Sequence, residues 1–168
     1  MKALILALAL AAVAPAGLAP VAMAQTTSGI SKQASPPSYG APISLAAAEA
    51  LIDRAITAAR TGGHRMAVAV VEPSGELVAF ARMDDTQYGS IYVAQRKAST
   101  AARYRLATST MEERVLAGRT VSLANDDSLP IAGGIPIIVD GHIVGAIGVS
   151  GASAAEDAAV ATAALAAD

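Results

Sequence analysis

The chain has 168 residues, with 12 Lys and Arg against 14 Asp and Glu, a net charge of −2, no cysteine, no tryptophan and one phenylalanine, Phe80. That balance excludes the basic patch of a nucleic-acid binder, and so few aromatic rings leave no platform for stacked bases. Without cysteine there is no thiolate nucleophile, cysteine-ligated zinc, iron–sulfur cluster or lipidated N-terminus.

Met1-Lys2, the apolar run from Ala3 and the small-residue site Ala22-Met23-Ala24 make up the three parts of a secretory signal peptide, expected over residues 1–24 with cleavage after Ala24. Pro15, Gly17 and Pro20 break the run, whereas a retained span needs roughly 20 unbroken apolar residues, so no stable membrane anchor is expected. The mature protein is then periplasmic or secreted. Residues 25–42, rich in Ser, Thr, Pro and Gly, read as a flexible linker, and 43–168 as one folded domain.

Ser44 is a good N-cap for a helix to about Arg60, with Leu45, Ala48, Ile52, Ala55, Ile56 and Ala59 on one stripe and Gly62-Gly63 ending it. Met66–Val71 and Glu76–Ala81, around the turn Pro73-Ser74-Gly75, predict a hairpin. Gly89–Leu106 is helical again, with Ile91, Ala94, Ala98, Ala101 and Ala102 on one side. The capping-box spacing of Thr110 and Glu113 predicts a third helix to about Ala117, and Thr120–Leu123 a short strand. Ile135–Val139 and His142–Val149 flank Asp140-Gly141, the preferred two-residue hairpin turn. Ser153 and Glu156 form a second capping box, opening an Ala-rich C-terminal helix. The strands are apolar at successive positions, so both sheet faces are expected to be covered. Gly145, Ala146 and Gly148 mark a close approach to the strand backbone.

Ile43-Ser44-Leu45, Met83-Asp84, Ala94-Gln95-Arg96-Lys97-Ala98-Ser99-Thr100-Ala101, and the run from Gly133-Gly134-Ile135-Pro136-Ile137 through Asp140-Gly141 to Gly145–Gly151, with Glu156-Asp157 after it, resemble the GlcG/HbpS family over roughly residues 40–167. The resemblance implies a profilin-like α/β (α+β) fold, three layers α/β/α with an antiparallel sheet of about five strands. Members of that family include extracellular haem-binding proteins that form oligomers and act in redox or haem sensing. A related domain ends PduO-type corrinoid adenosyltransferases and also binds haem. Haem as cofactor, a homo-oligomer and a sensor partner protein are therefore the implied partners. One departure is Asp85, where the family has Gly after Met-Asp; if that loop needs φ > 0, an Asp there is mildly strained.

Haem iron takes His, Met, Cys or Tyr, and the chain has two histidines, His64 and His142, each in a turn where a plain solvated role is the competing reading. Tyr88, Tyr92 and Tyr104 are spare oxygen ligands, and Met66 and Met83 spare sulfur ones. Lys97 rises among Val93, Ala94, Ala98 and Ala101, placed to pair with a haem propionate or a small acid, or else to snorkel. Arg96, Arg103 and Arg105 share its helix and Arg82 precedes Met83, together an anion-accepting rim. Ser150 and Ser153 bracket a helix start whose free N–H groups offer a modest anion site. Gly145, Gly148 and Gly151 lack nucleotide-loop spacing and are read as packing. No catalytic residue is assigned: there is no Gly-x-Ser-x-Gly elbow, and the acidic pairs, Asp84-Asp85 among them, read as caps or loop decoration. The expected function is an exported haem-binding protein in storage or sensing. The alternatives are an enzyme or accessory protein handling a small, glycolate-like acid, and a ligand-free structural oligomer.

Overall fold

Ser44 accepts a hydrogen bond from the N–H of Ala47 (3.2 Å) and starts the first helix, α1 (Leu45–Thr61), which Gly62 ends. A computed structural model describes residues 35–166; the expected leader (1–24) and residues 25–34 of the expected linker lie outside the described residues. After α1 come β1 (Ala67–Val71), β2 (Leu77–Arg82), α2 (Gly89–Tyr104), α3 (Thr108–Leu116), a 3₁₀ turn (Thr120–Ala124), β3 (Gly134–Val139), β4 (His142–Ser150) and α4 (Ala154–Ala166). Among the described residues no helix is long and apolar enough to cross a membrane.

The strands form one antiparallel sheet in the order β2-β1-β4-β3. Both expected hairpins form, and Asp140 (φ 50°) with Gly141 (φ 76°) supplies the left-handed pair that a two-residue turn requires. β1 is buried at every position because its two faces meet different layers. Val68 and Val70 join Ile147, Val149, Leu51, Ile52 and Val160 under α1 and α4, while Ala67, Ala69 and Val71 face Ala94, Ala98 and Ala101 of α2. The three-layer arrangement is the one anticipated, with four strands in place of about five.

Two local expectations fail for tertiary reasons. Thr120–Leu123 has no strand to pair with and winds into the 3₁₀ turn. The helix expected from the Thr110–Glu113 capping box begins two residues earlier, at Thr108, whose hydroxyl accepts the N–H of Gly134 at the start of β3 (2.9 Å). In α1, Leu45 lies on the predicted apolar stripe but is 55% exposed, and Leu51, off that stripe, is buried.

The linker reading is corrected for its last residues. Tyr39 bridges to Ile143 in parallel, the N–H of Ile143 donates to the carbonyl of Ser38 (2.9 Å), and that of Gly40 donates to the carbonyl of Ile143 (2.9 Å). This stretch takes the place beside β4 that β1 vacates after Val71. The Tyr39 hydroxyl lies 2.9 Å from the carbonyl of Arg103 and 3.1 Å from that of Ala102, capping α2 from outside, and the Arg105 guanidinium covers its ring at 5.4 Å. β3 is an edge strand and tolerates Pro136 because, among the described residues, no strand pairs with its outer flank.

Glycines set how near α2 approaches the sheet. A Cβ on Gly148 would overlap the carbonyl oxygen of Ala94 and the nitrogen of Ala98, and one on Gly134, its partner across β3 and β4, would overlap the carbonyl of Lys97. The loop after β2 shows the strain anticipated at Asp85, whose φ is 62°. Asp85→Gly should therefore raise stability by about 0.5–1 kcal/mol, relief of the left-handed cost being partly offset by the freer unfolded chain. Urea unfolding checks this, and a loss of stability would show that the Asp85 side chain makes a stronger bond than its backbone strain.

Candidate functional site

The antiparallel hairpin puts the start of β1 beside the end of β2, Ala67 opposite Arg82, and the end of α1 lies over the same corner. Three guanidiniums thereby converge. Arg60 from the last turn of α1, Arg65 ahead of β1 and Arg82 closing β2 line a cleft of about 560 Å³ with Ile56, Met83, Asp84 and Asp85. Among the described residues the ion pairs are Lys97–Asp157, Arg103–Glu76 and Arg103–Asp127, so the three arginines have no carboxylate partner. Met83 is half-buried, packed against the core under α1, and brings a thioether to the cleft. Ligand pockets commonly run to roughly 300–1,000 Å³. Chemically this cleft offers cationic donors for carboxylates, a soft sulfur donor and a small apolar floor.

The residues expected to form an anion-gripping rim are placed differently. Lys97 is 1% exposed and turns inward; its Nζ donates to Asp157 Oδ2 (2.7 Å) and to the carbonyl of Val149 (3.1 Å). The carboxylate anticipated for Lys97 is thus one from its own chain, and Lys97 is not free for a ligand. Arg96 points away from Lys97, donating to the carbonyl of Ser128 (3.1 Å) and stacking on Tyr92 (5.6 Å), so it anchors the loop before β3. Tyr92 is exposed on the same flank. Arg103 is held by Asp127 and Glu76, and Arg105 by Tyr39. Arg82 alone of the proposed rim reaches the cleft.

The anion site expected at Ser153 is filled from within. Ser153 N–H and hydroxyl both donate to Glu156 Oε2 (3.0 and 2.7 Å), and Ala152 N–H donates to Asp157 Oδ1 (3.0 Å). The Ser153 hydroxyl, aided by its N–H, holds the Glu156 carboxyl below the usual carboxylate range. Ser150 is buried, its hydroxyl 3.3 Å from that of Ser90.

The histidines sit at opposite ends of β4. His142 opens β4 and its Nδ1 lies 2.8 Å from the Ser38 hydroxyl; His64 lies ahead of β1, whose first residue pairs with Ser150, the last of β4. The eight steps between the nine residues of β4, at about 3.4 Å each, separate those ends by about 27 Å, so one chain cannot bring both to one metal. His64 shares the corner of the arginine cleft without lining it; its ring lies against Gly62. A second cleft of about 600 Å³, between α1 and β3, is lined by Leu51, Ile137, Val144 and other apolar groups with Arg54, and contains no imidazole, thioether or phenol.

Arg60 and Arg65 were missed from sequence. Arg65 and Arg82 flank the predicted hairpin symmetrically, a signal that could have paired them; nothing local announces that the end of α1 adds Arg60.

Fold and cleft define a three-layer α/β/α module with a cationic corner. The chain belongs to the HbpS-like family: the model described as haem degrading protein HbpS-like matches residues 43–166. Protein GlcG of Escherichia coli (strain K12) is 40% identical over 103 residues, 61% of this chain and 77% of that protein. The crystal structure of HbpS superposes with a TM-score of 0.69 at 32% identity, covering 76% of this chain and 90% of that one. The crystal structure of the PduOC haem complex does so with a TM-score of 0.67 at 27% identity, covering 74% and 94%.

Proposed function

We propose that this protein binds haem at the arginine cleft and serves in haem storage or sensing outside the cytoplasm, after removal of residues 1–24. Family membership and the likeness to a haem complex support the ligand class. The observation that carries the assignment to this corner is a thioether set among three guanidiniums without carboxylate partners. The apolar cleft beside β3 has no axial donor to offer.

Arg60, Arg65 and Arg82 would take the propionates, planar forks matched to carboxylates. Met83 would offer the axial thioether, with the His64 imidazole next to hand at the same corner. When bound, haem supplies a redox-active iron; the chain supplies orientation and charge. Among the described residues Ile56 and Met83 are the only apolar lining, so a second copy of the chain would complete the cover of a porphyrin, and a homo-oligomer belongs to the proposal. A sensor partner protein would then read the loaded form.

Titration of the purified protein with haemin should give a saturable Soret shift. Arg60→Gln with Arg65→Gln should weaken binding by tenfold or more, about 1.4 kcal/mol or above. Met83→Leu should alter the spectrum of the bound form, and His142→Ala, at the far end of β4, should leave it unchanged. Absence of a saturable shift rejects haem. The same guanidiniums suit a small organic acid, so a rise in Tm with glycolate and none with haemin would favour that reading.

A further inference from the structure

The groove of about 600 Å³ between α1 and β3 shares no lining residue with the arginine cleft. On α1, Ala47, Ala50, Leu51 and Arg54 recur at i, i+3, i+4 and i+7, so they share one face and form one wall. The two alanines are too short to fill the space in front of them. On β3, Ile138 and Val139 line the same groove and are 53% and 50% exposed, beside Ile137, which is buried in the core. A concave aliphatic strip left open in this way is the usual form of a binding surface.

A second observation gives the groove a charged end. Arg54 is the one polar side chain in its lining, and it is half-buried. Its Nε donates to the carbonyl of Ala164 in the last turn of α4 (2.8 Å), which fixes the plane of the guanidinium. Among the described residues its two Nη groups meet no acceptor, and no carboxylate pairs with the charge. Held on one side and bare on the other, the guanidinium presents the two-pronged edge that a carboxylate takes.

From these we infer a site for an amphipathic monoanion, with its carboxylate on the Arg54 Nη groups and its aliphatic tail along the groove. The wall from Ala47 to Arg54 is about 10 Å of helix, which suits a tail of medium length. One guanidinium matches one carboxylate. A sugar, a nucleotide or a peptide would set hydroxyls or amides against aliphatic carbon, where no side chain bonds them. The site does not rest on the haem reading, since the two clefts are built from different residues.

Calorimetric titration of the purified protein with decanoate, below its micelle concentration, tests the site. Saturable binding is expected, about tenfold tighter than for octanoate because two more methylenes are buried. Decanol, with the same tail and no charge, should bind at least tenfold more weakly, and Arg54→Gln should remove that preference. Ile138→Asp, on the exposed rim, should abolish binding and leave the circular dichroism spectrum unchanged. Arg60→Gln with Arg65→Gln should bind decanoate as the wild type does; a loss there assigns the fatty acid to the arginine cleft and overturns the inference. Absence of saturable binding, equal affinity for octanoate and decanoate, or unchanged affinity in both Arg54→Gln and Ile138→Asp also overturns it. Light scattering tests the rival occupant, a second copy of the chain. A fall in mass on Ile138→Asp, with no decanoate bound by the wild type, would make the groove an interface between copies and not a ligand site.

Discussion

Replacing Lys97 with methionine should cost about 3–5 kcal/mol, the usual penalty for leaving a buried partner charge uncompensated. Lys97 and Asp157 are 1% and 2% exposed and 2.7 Å apart, and they join helices on opposite faces of the sheet. The lysine passes close to Gly133 (φ 123°), where an added Cβ would come within 2.9 Å of Nζ. Without the ammonium, Asp157 keeps one bond, from the Ala152 N–H. Since small domains are stable by roughly 5–15 kcal/mol in total, the variant should lose a large share of that margin. The double variant Lys97→Met, Asp157→Leu should recover much of the loss, because two apolar side chains can replace an ion pair at little cost, though the Ala152 N–H then lacks its acceptor. Urea unfolding followed by circular dichroism measures both. A single-variant loss under about 1 kcal/mol would show that water reaches the pair.

Gly148→Ala should be the other severe change, near the upper end of the roughly 1–3 kcal/mol expected for overpacking. The atoms in the way, the carbonyl of Ala94 and the nitrogen of Ala98, are helix backbone and cannot rotate aside. α2 must lift, loosening the alanine layer formed by Ala67, Ala69, Ala94 and Ala98. Gly89→Ala, where a Cβ meets nothing, is the matched control and should fall within about 0.5 kcal/mol of wild type. Equal effects in the two would refute close helix–sheet contact as the cause.

What was readable from sequence was local. The Asp140-Gly141 turn, the Ser153–Glu156 capping box and the tight approach at Gly148 each follow from a few neighbouring residues, whereas the positive φ at Asp85 was legible only through the family resemblance; each is present. Thr110–Glu113 had an equally good local signature and lost to a tertiary bond, that of Thr108 with Gly134. Lys97 shows the same limit at the site. A lone cation among alanines was visible, but Asp157, which answers it, is on another helix and carries no spacing signal. The arginine cleft is likewise an end-of-element feature: its members lie far apart in the chain and meet only because α1, β1 and β2 share a corner.

Pro136 has a consequence for association. A strand from another molecule that tried to continue the sheet beyond β3 would meet a residue with no N–H to offer, halfway along the only rim open on that side. Open-ended, fibre-like growth by strand addition is therefore disfavoured at that edge, which leaves side chains as its means of contact with another molecule.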